Sequence, residues 1–413
     1  MNINMSVVCD DCNTVINCRV GMSNRRLQPL RFVCEECLSP IDINVNLGQG
    51  ITIEGANQIE TKGPFDSETA FVDLHLDFPV AFDKYIMGMT PFMMASQRCG
   101  HENMQIHAFR VNTLNEISER TPEIKKIIKL YRNNKEKLYR KRILSFLESN
   151  IDCKMKIDQN YALYHLLERC FSPFNEPTKN LETVEGYTEK IIWFAENKRT
   201  EFEKLLEELV GSGFLKNLQD DCLQLYPKML DFELIFRPAL FLDFDNTYEN
   251  SRMAYRVSSH DFDEIKDLYK DISEVLSRQL VLIAAVNNLE KRGDHNSFAP
   301  LEKMKVPTSL NKYADVAFGQ KLELLDDPWH SISKEVADNQ LRNSIAHFKA
   351  EYDDVSQKLT YFPKREGIKQ EKSEEMYFLD FSRKILLAYR EMHKLNHLIK
   401  CLFVFYFMYV NPE

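Results

Sequence analysis

Two short cysteine pairs near the start of the chain constrain its fold more than any other feature: Cys9-Asp10-Asp11-Cys12 and Cys34-Glu35-Glu36-Cys37. Each C-x2-C places two thiols on one tight turn, and two such turns about twenty residues apart can close a tetrahedral zinc site. Four thiolates leave no open position, so the expected Zn2+ is structural. The alternatives are two disulfides or four unlinked thiols. The chain holds ten cysteines and shows no basic-then-apolar leader, which argues against export and for metal or free thiols. Cys18 is spare in this scheme and reads as a buried thiol. Between the pairs, Val15, Ile16, Val20, Leu30, Phe32 and Val33 read as short strands of a zinc ribbon.

Strand-like text continues to about residue 118. Ile41 to Leu47 alternates apolar and polar, Gly48-Gln49-Gly50 turns, and Ile51 to Glu54 resumes the alternation. Phe71 to Phe78 is a further strand, stopped by Pro79. His75, Cys99, His101 and His107 match no compact metal spacing, so packing or surface roles are expected for them.

Helical text follows. Thr121-Pro122 reads as a helix start, a cap residue and a first-turn proline. Nine lysines and arginines between Lys125 and Arg142, interleaved with Tyr131 and Tyr139, reverse the sign of a chain whose formal charge is −9. A solvated helix face is the plainer reading, and an RNA-tracking surface is the alternative. Further helices are expected over Asn160 to Phe171, Val184 to Val210 and Phe214 to Leu230, with Gly211-Ser212-Gly213 as a break. Ile191, Ile192, Trp193 and Phe194 read as core. A long amphipathic helix runs from Ser259 to Gly293, with Asn287 and Asn288 near its end, and another over about 309–325. The last, over about 373–408, carries His393 and His397 one turn apart. No third metal ligand is evident beside them, so packing or surface roles are expected. The apolar run Cys401 to Val410 is too short to span a bilayer, and its aromatics read as core or a dimer interface.

The chemistry-bearing stretch is Leu341-Arg342-Asn343-Ser344-Ile345-Ala346-His347-Phe348. Ala337, Leu341, Ile345 and Phe348 have the spacing of a core-facing helical stripe, with Ser331 or Ser333 as the cap. Asn339, Asn343 and His347 form a polar stripe on the same helix, and Arg342 stands to one side. Imidazole exchanges a proton near neutral pH, and guanidinium grips a phosphate by two parallel hydrogen bonds. That pair suits phosphodiester cleavage without a metal. Of the ten histidines, only His347 has an arginine five places before it.

Arg342-Asn343-x-x-x-His347 resembles the R-N-x3-H signature of HEPN-domain ribonucleases, small helical domains of prokaryotic toxins and antiviral systems. The resemblance covers roughly the last 150 residues. It implies a metal-independent endoribonuclease that leaves a 2′,3′-cyclic phosphate. It also implies a homodimer whose two motif helices face each other across one groove. In that scheme His347 transfers protons, Arg342 clamps the phosphate and Asn343 orients them. An effector of a toxin or abortive-infection system is implied, with a sensor or trigger partner acting through the rest of the chain.

Two rivals stand beside this reading. One is a non-catalytic scaffold that binds a partner through the zinc ribbon. The other rests on Asp243-x-Asp245-x-Thr247 after an apolar run, which resembles the first motif of haloacid-dehalogenase-type phosphatases, with Asp243 as nucleophile and Asp245 as acid/base. The expected whole is a mainly α, multidomain, cytoplasmic protein that acts on RNA without a membrane. It comprises a β-rich zinc-ribbon module (1–118), a helical middle region (119–235) and a HEPN-like helical bundle (236–413). The hydrophobic fraction of 44% and charged fraction of 28% fit a globular chain of this kind.

Overall fold

The computed structural model describes the chain except residues 83, 150–152, 246, 249–253, 260–261, 302–304, 334, 364–371 and 413. It is mainly helical, with a β-rich N-terminal region. The chain divides into two compact units. The first holds Met1–Glu119, Asp231–Asp267 and Gln340–Leu386, and the second holds Arg120–Leu230, Leu268–Asn339 and Leu387–Glu413. The expected breaks near 118 and 235 fall close to two of these boundaries. Residues 236–413, expected as one domain, contribute to both units.

The first unit opens with β1 (Asn2–Cys9), β2 (Val15–Gly21), β3 (Leu27–Val33), β4 (Pro40–Asn46), β5 (Gly50–Glu54), β6 (Ala56–Ile59), β7 (Ala70–Leu74) and β8 (Val80–Ala81). One sheet has the order β6-β1-β2-β7, with β2 and β7 parallel. The other is the meander β3-β4-β5, in which Leu30 faces Ile43 and Phe32 faces Ile41. Alternate residues of β3 and β4 are buried, as period-two patterning demands. Met5, Val7, Ile16, Val20, Leu30, Phe32, Ile41, Ile43 and Leu74 form one continuous core.

Residues 91–118, expected to be β-rich, are helical. Helix α1 (Pro91–Arg132) runs through them and through Thr121-Pro122, so that pair is no start signal. Met104, His107, Val111, Leu114 and Ile117 are all buried, and this helical spacing carries the chain past the proline. Gly100, with φ of 78°, bends α1.

In the second unit follow α2 (Glu136–Leu147), α3 (Lys156–Phe171), α4 (Pro177–Asn197), α5 (Arg199–Gly211) and α6 (Phe214–Asp231). Gly213 breaks α5 from α6 as expected, with φ of 74°. Ile191 and Phe194 are core, whereas Ile192 and Trp193 are exposed. Four consecutive residues sweep most of a helical turn, and one face can bury only part of them.

The chain returns to the first unit with α7 (Glu233–Phe241) and β9 (Tyr255–Arg256), which pairs with β8. Within α7, Arg237 is fully buried. It donates to Glu233 (2.8 Å), Asp77 (2.8 Å) and Asn115 (2.7 Å), so its charge is met on three sides. Helix α8 (Phe262–Arg292) follows and stops at Gly293 in the left-handed region. Asn287 donates to Asp326 and Asn288 to the His295 carbonyl, so these amides serve the following loop. The helix expected near 309–325 is two short ones, α9 (Leu310–Ala314) and α10 (Phe318–Glu323).

Helix α11 (Asn339–Ala346) carries the motif. A three-stranded antiparallel sheet of β10 (Ala350–Asp353), β11 (Lys358–Tyr361) and β12 (Glu374–Tyr377) follows it. The last helix, α12 (Phe378–Phe405), starts five residues later than expected, because 374–377 is strand, and runs into a π turn over Tyr406–Val410. Phe403 and Phe405 are buried and Tyr409 is exposed.

Candidate functional site

The cysteine site is built by two matching turns. In the first, the amide of Asn13 donates to the carbonyl of Cys9 (3.0 Å). In the second, that of Leu38 donates to the carbonyl of Cys34 (2.9 Å). Asn13 (φ 60°) and Leu38 (φ 62°) are both left-handed, one place after the second cysteine of each pair. The four Sγ atoms lie within 4.8 Å of one another, with Cys9–Cys37 at 3.6 Å and Cys12–Cys34 at 3.5 Å. A tetrahedral ion with metal–sulfur bonds of about 2.3 Å needs edges of about 3.8 Å, so the donor set fits. No disulfide joins any of the four, which removes the disulfide alternative. Cys18 is buried at the Met5–Cys18 register of the β1–β2 pair, away from the four.

Two residues of this site escaped the sequence reading. Thr14 Oγ1 lies 3.1 Å from Cys12 Sγ, and Ser39 Oγ lies 3.3 Å from Cys37 Sγ. Each hydroxyl sits two places after the second cysteine of its pair; that of Thr14 can donate to a thiolate, and that of Ser39 donates to Asp11 Oδ2 and accepts from Cys37. That repeated offset was the available signal. Gly55 is also needed, since a Cβ there would lie 2.3 Å from the Pro40 carbonyl oxygen.

The motif helix is shorter than expected. Ser333 caps a separate turn, accepting from the amide of Val336, and Ala337 lies outside α11. Leu341, Ser344 and Ile345 are buried, and the Ser344 hydroxyl donates to the carbonyls of Gln340 (2.9 Å) and Phe362 (3.0 Å). At 100° per residue, Arg342, Asn343 and His347 occupy an arc of roughly 140° opposite those three. Arg342 Nη1 donates to Asn343 Oδ1 (2.9 Å), so two of the three motif side chains are joined directly. Partial burial pulls the Arg342 pKa below the arginine norm, and a guanidinium remains a cation regardless.

The helix ends in a Schellman turn. The amide of Lys349 donates to the Ser344 carbonyl (2.8 Å) and that of Phe348 to the Ile345 carbonyl (3.4 Å). His347 is therefore the C-cap, exposed, with its amide on the Asn343 carbonyl (3.0 Å). Phe348, expected in the core, is 92% exposed and left-handed at φ 55°. It takes the place where glycine or asparagine is usual, because helical periodicity stops one residue before it.

The phosphatase expectation fails on local structure. The apolar run before Asp243 is α7, a helix rather than the strand that motif needs. Asp243 is gripped by Arg110 (2.7 Å) and Arg383, and Asp245 by Arg98 (2.9 Å). Thr247 donates from its amide and hydroxyl to Asp245 Oδ1. These carboxylates are ion-paired structural groups. His75 and His107 are buried in packing roles as expected, and His101 is exposed. In the basic run, Arg132 is paired with Asp220, and Lys126, Lys129, Lys137 and Lys141 are exposed. Among the described residues, no helix is long and apolar enough to cross a membrane.

No family model, no curated protein and no solved structure matches this chain.

Proposed function

We propose that the chain is a metal-independent endoribonuclease that works through Arg342, Asn343 and His347. The observation that supports this most is the joined Arg342–Asn343 pair beside an exposed His347 on a helix whose other face is buried. His347 takes the proton of a ribose 2′-hydroxyl. The 2′-oxygen attacks phosphorus, and the bond to the 5′-oxygen breaks once that oxygen is protonated. The products are a 2′,3′-cyclic phosphate and a free 5′-hydroxyl. Arg342 binds the non-bridging oxygens and stabilises the charge built there. Asn343 holds the guanidinium. A homodimer supplies a second imidazole, which allows one to accept a proton while the other donates.

Phe348 extends this reading. A non-glycine residue held left-handed costs about 1 kcal/mol or more, and such strain concentrates at functional positions. An exposed ring next to the proton-transfer group suits stacking on an unpaired base. In the β module we read the four-cysteine site as structural Zn2+. An abortive-infection effector with a trigger partner follows from the resemblance of the motif. The test is RNA cleavage by purified protein: wild type cuts, and Arg342→Ala and His347→Ala each lose at least about a hundredfold in rate. Clean dimers of a wild type that stays inert, alone and on expression, would favour the scaffold instead.

A further inference from the structure

We propose that Glu168, His393 and His397 form a second metal site, which takes a divalent transition-metal ion and leaves coordination positions for water or an external ligand. It lies in the second unit, whereas Arg342, Asn343 and His347 belong to the first. The histidines alone read as packing residues. The third ligand comes from α3, more than two hundred residues earlier in the chain.

The geometry carries the assignment. Glu168 Oε1 lies 3.0 Å from His393 Nε2 and 2.6 Å from His397 Nε2, and the two nitrogens are 3.3 Å apart. The circle through these atoms has a radius of roughly 1.7 Å, so an ion about 2.0–2.1 Å from each sits just off their plane. Without an ion, the arrangement is awkward. Two imidazoles aim the same nitrogen at each other, and if both carry protons there, both compete for one carboxylate oxygen. A cation resolves this, since both lone pairs and the carboxylate then point at it. Two imidazoles and one carboxylate are a donor set for zinc or ferrous iron rather than magnesium or calcium.

The surroundings are those of a held ligand. His393 and His397 are 0% and 3% exposed, so their rings are fixed by packing. His393 Nδ1 lies 2.7 Å from the Tyr226 hydroxyl, which accepts from Asn396 Nδ2 (3.0 Å). Tyr164 donates to Asn396 Oδ1 (2.9 Å) and accepts from Gln219 (3.1 Å). His393 thus has the partner on its far ring nitrogen that sets the tautomer of a metal-bound histidine, whereas His397 Nδ1 is buried with no such partner among the described residues. Unlike the histidines, the Glu168 side chain is 42% exposed, so the site is open on that side. The four-thiolate site is closed by comparison.

Cobalt(II) binding to the full chain tests this. The four-thiolate site gives intense thiolate-to-metal absorption, and a site of two imidazoles and a carboxylate gives only weak visible bands. Wild type is expected to bind two ions, the second without thiolate absorption. Cys34→Ser should retain that second ion. Glu168→Gln, at the exposed edge where folding is least at risk, should weaken it at least about tenfold and leave the thiolate bands unchanged. Tyr226→Phe should weaken it by about 10- to 100-fold as a positioning residue. Loss of the second ion in His397→Gln, with an unchanged circular dichroism spectrum, would agree. The proposal is overturned if wild type binds cobalt only through thiolates, or if Glu168→Gln and His397→Gln bind two ions as wild type does. Either result leaves the ribonuclease reading untouched, because that reading uses no metal.

Discussion

At the residue scale, Phe348 and His107 make separable predictions. Phe348 sits exposed where a left-handed turn favours glycine. Phe348→Gly is therefore expected to raise stability by about 1 kcal/mol in denaturant unfolding. It should also lower kcat/KM on single-stranded RNA by roughly tenfold, since stacking on one base is worth about 1–3 kcal/mol. A variant that is more stable and equally active would remove Phe348 from the site. His107 makes a pH prediction. It is fully buried against Phe78, Phe241 and Phe244, and burial pushes its pKa down from 6.5 to about 4. The unfolded chain takes this proton at about 6.5 and the folded chain only near 4, so the unfolded state binds more protons between those values. Stability is unaffected above pH 6.5 and falls as pH drops through the window, by on the order of 2 kcal/mol at pH 5. His107→Gln should flatten that slope in unfolding curves at pH 7 and pH 5. An unchanged slope would mean that other groups dominate.

At the element scale, the paired cysteine turns hold the ends of β1 and β3 together. Removing a ligand such as Cys34 is expected to release one metal ion and expose the β core to proteolysis, read by metal analysis and limited digestion. The double variant Thr14→Val, Ser39→Ala keeps all four thiols. It should weaken metal binding by about 10- to 100-fold, measured by competition with a chromophoric chelator. Equal affinity would deny the hydroxyls any role.

This scale also shows what could be read from sequence. Strands with period-two text were legible because their two faces differ in burial, fully in β3 and β4 and only as half-buried against exposed in β5. The β content assigned to 91–118 was wrong because His107 and Met104 hid a helical stripe among polar residues, and Thr121-Pro122 imitated a beginning. The four clustered cysteines were legible, since they pair within short turns, and the hydroxyls of Thr14 and Ser39 beside them were not. Glu168, which joins two histidines from a distant helix, was not, because no local spacing records a tertiary encounter. Phe348 fell outside the core because a helix stop, unlike a helix face, leaves little trace in apolar spacing.

At the scale of the whole molecule, the two units hold different side-chain clusters. One has the four-thiolate turns and the Arg342–Asn343–His347 helix, and the other has the Glu168–His393–His397 cluster. The net charge of −9 does not favour bulk attraction of a polyanion, so the proposed RNA reading places its contacts locally, at Arg342 and its neighbours. The account rests on His347 as the proton-transfer group. The most direct measurement expresses wild type and His347→Ala at equal levels in bacteria and follows growth together with 2′,3′-cyclic phosphate ends on cellular RNA. Growth arrest with new cyclic ends for wild type, and neither for His347→Ala, is the predicted result. Arrest and cyclic ends that persist in His347→Ala, or their absence from both, would contradict it.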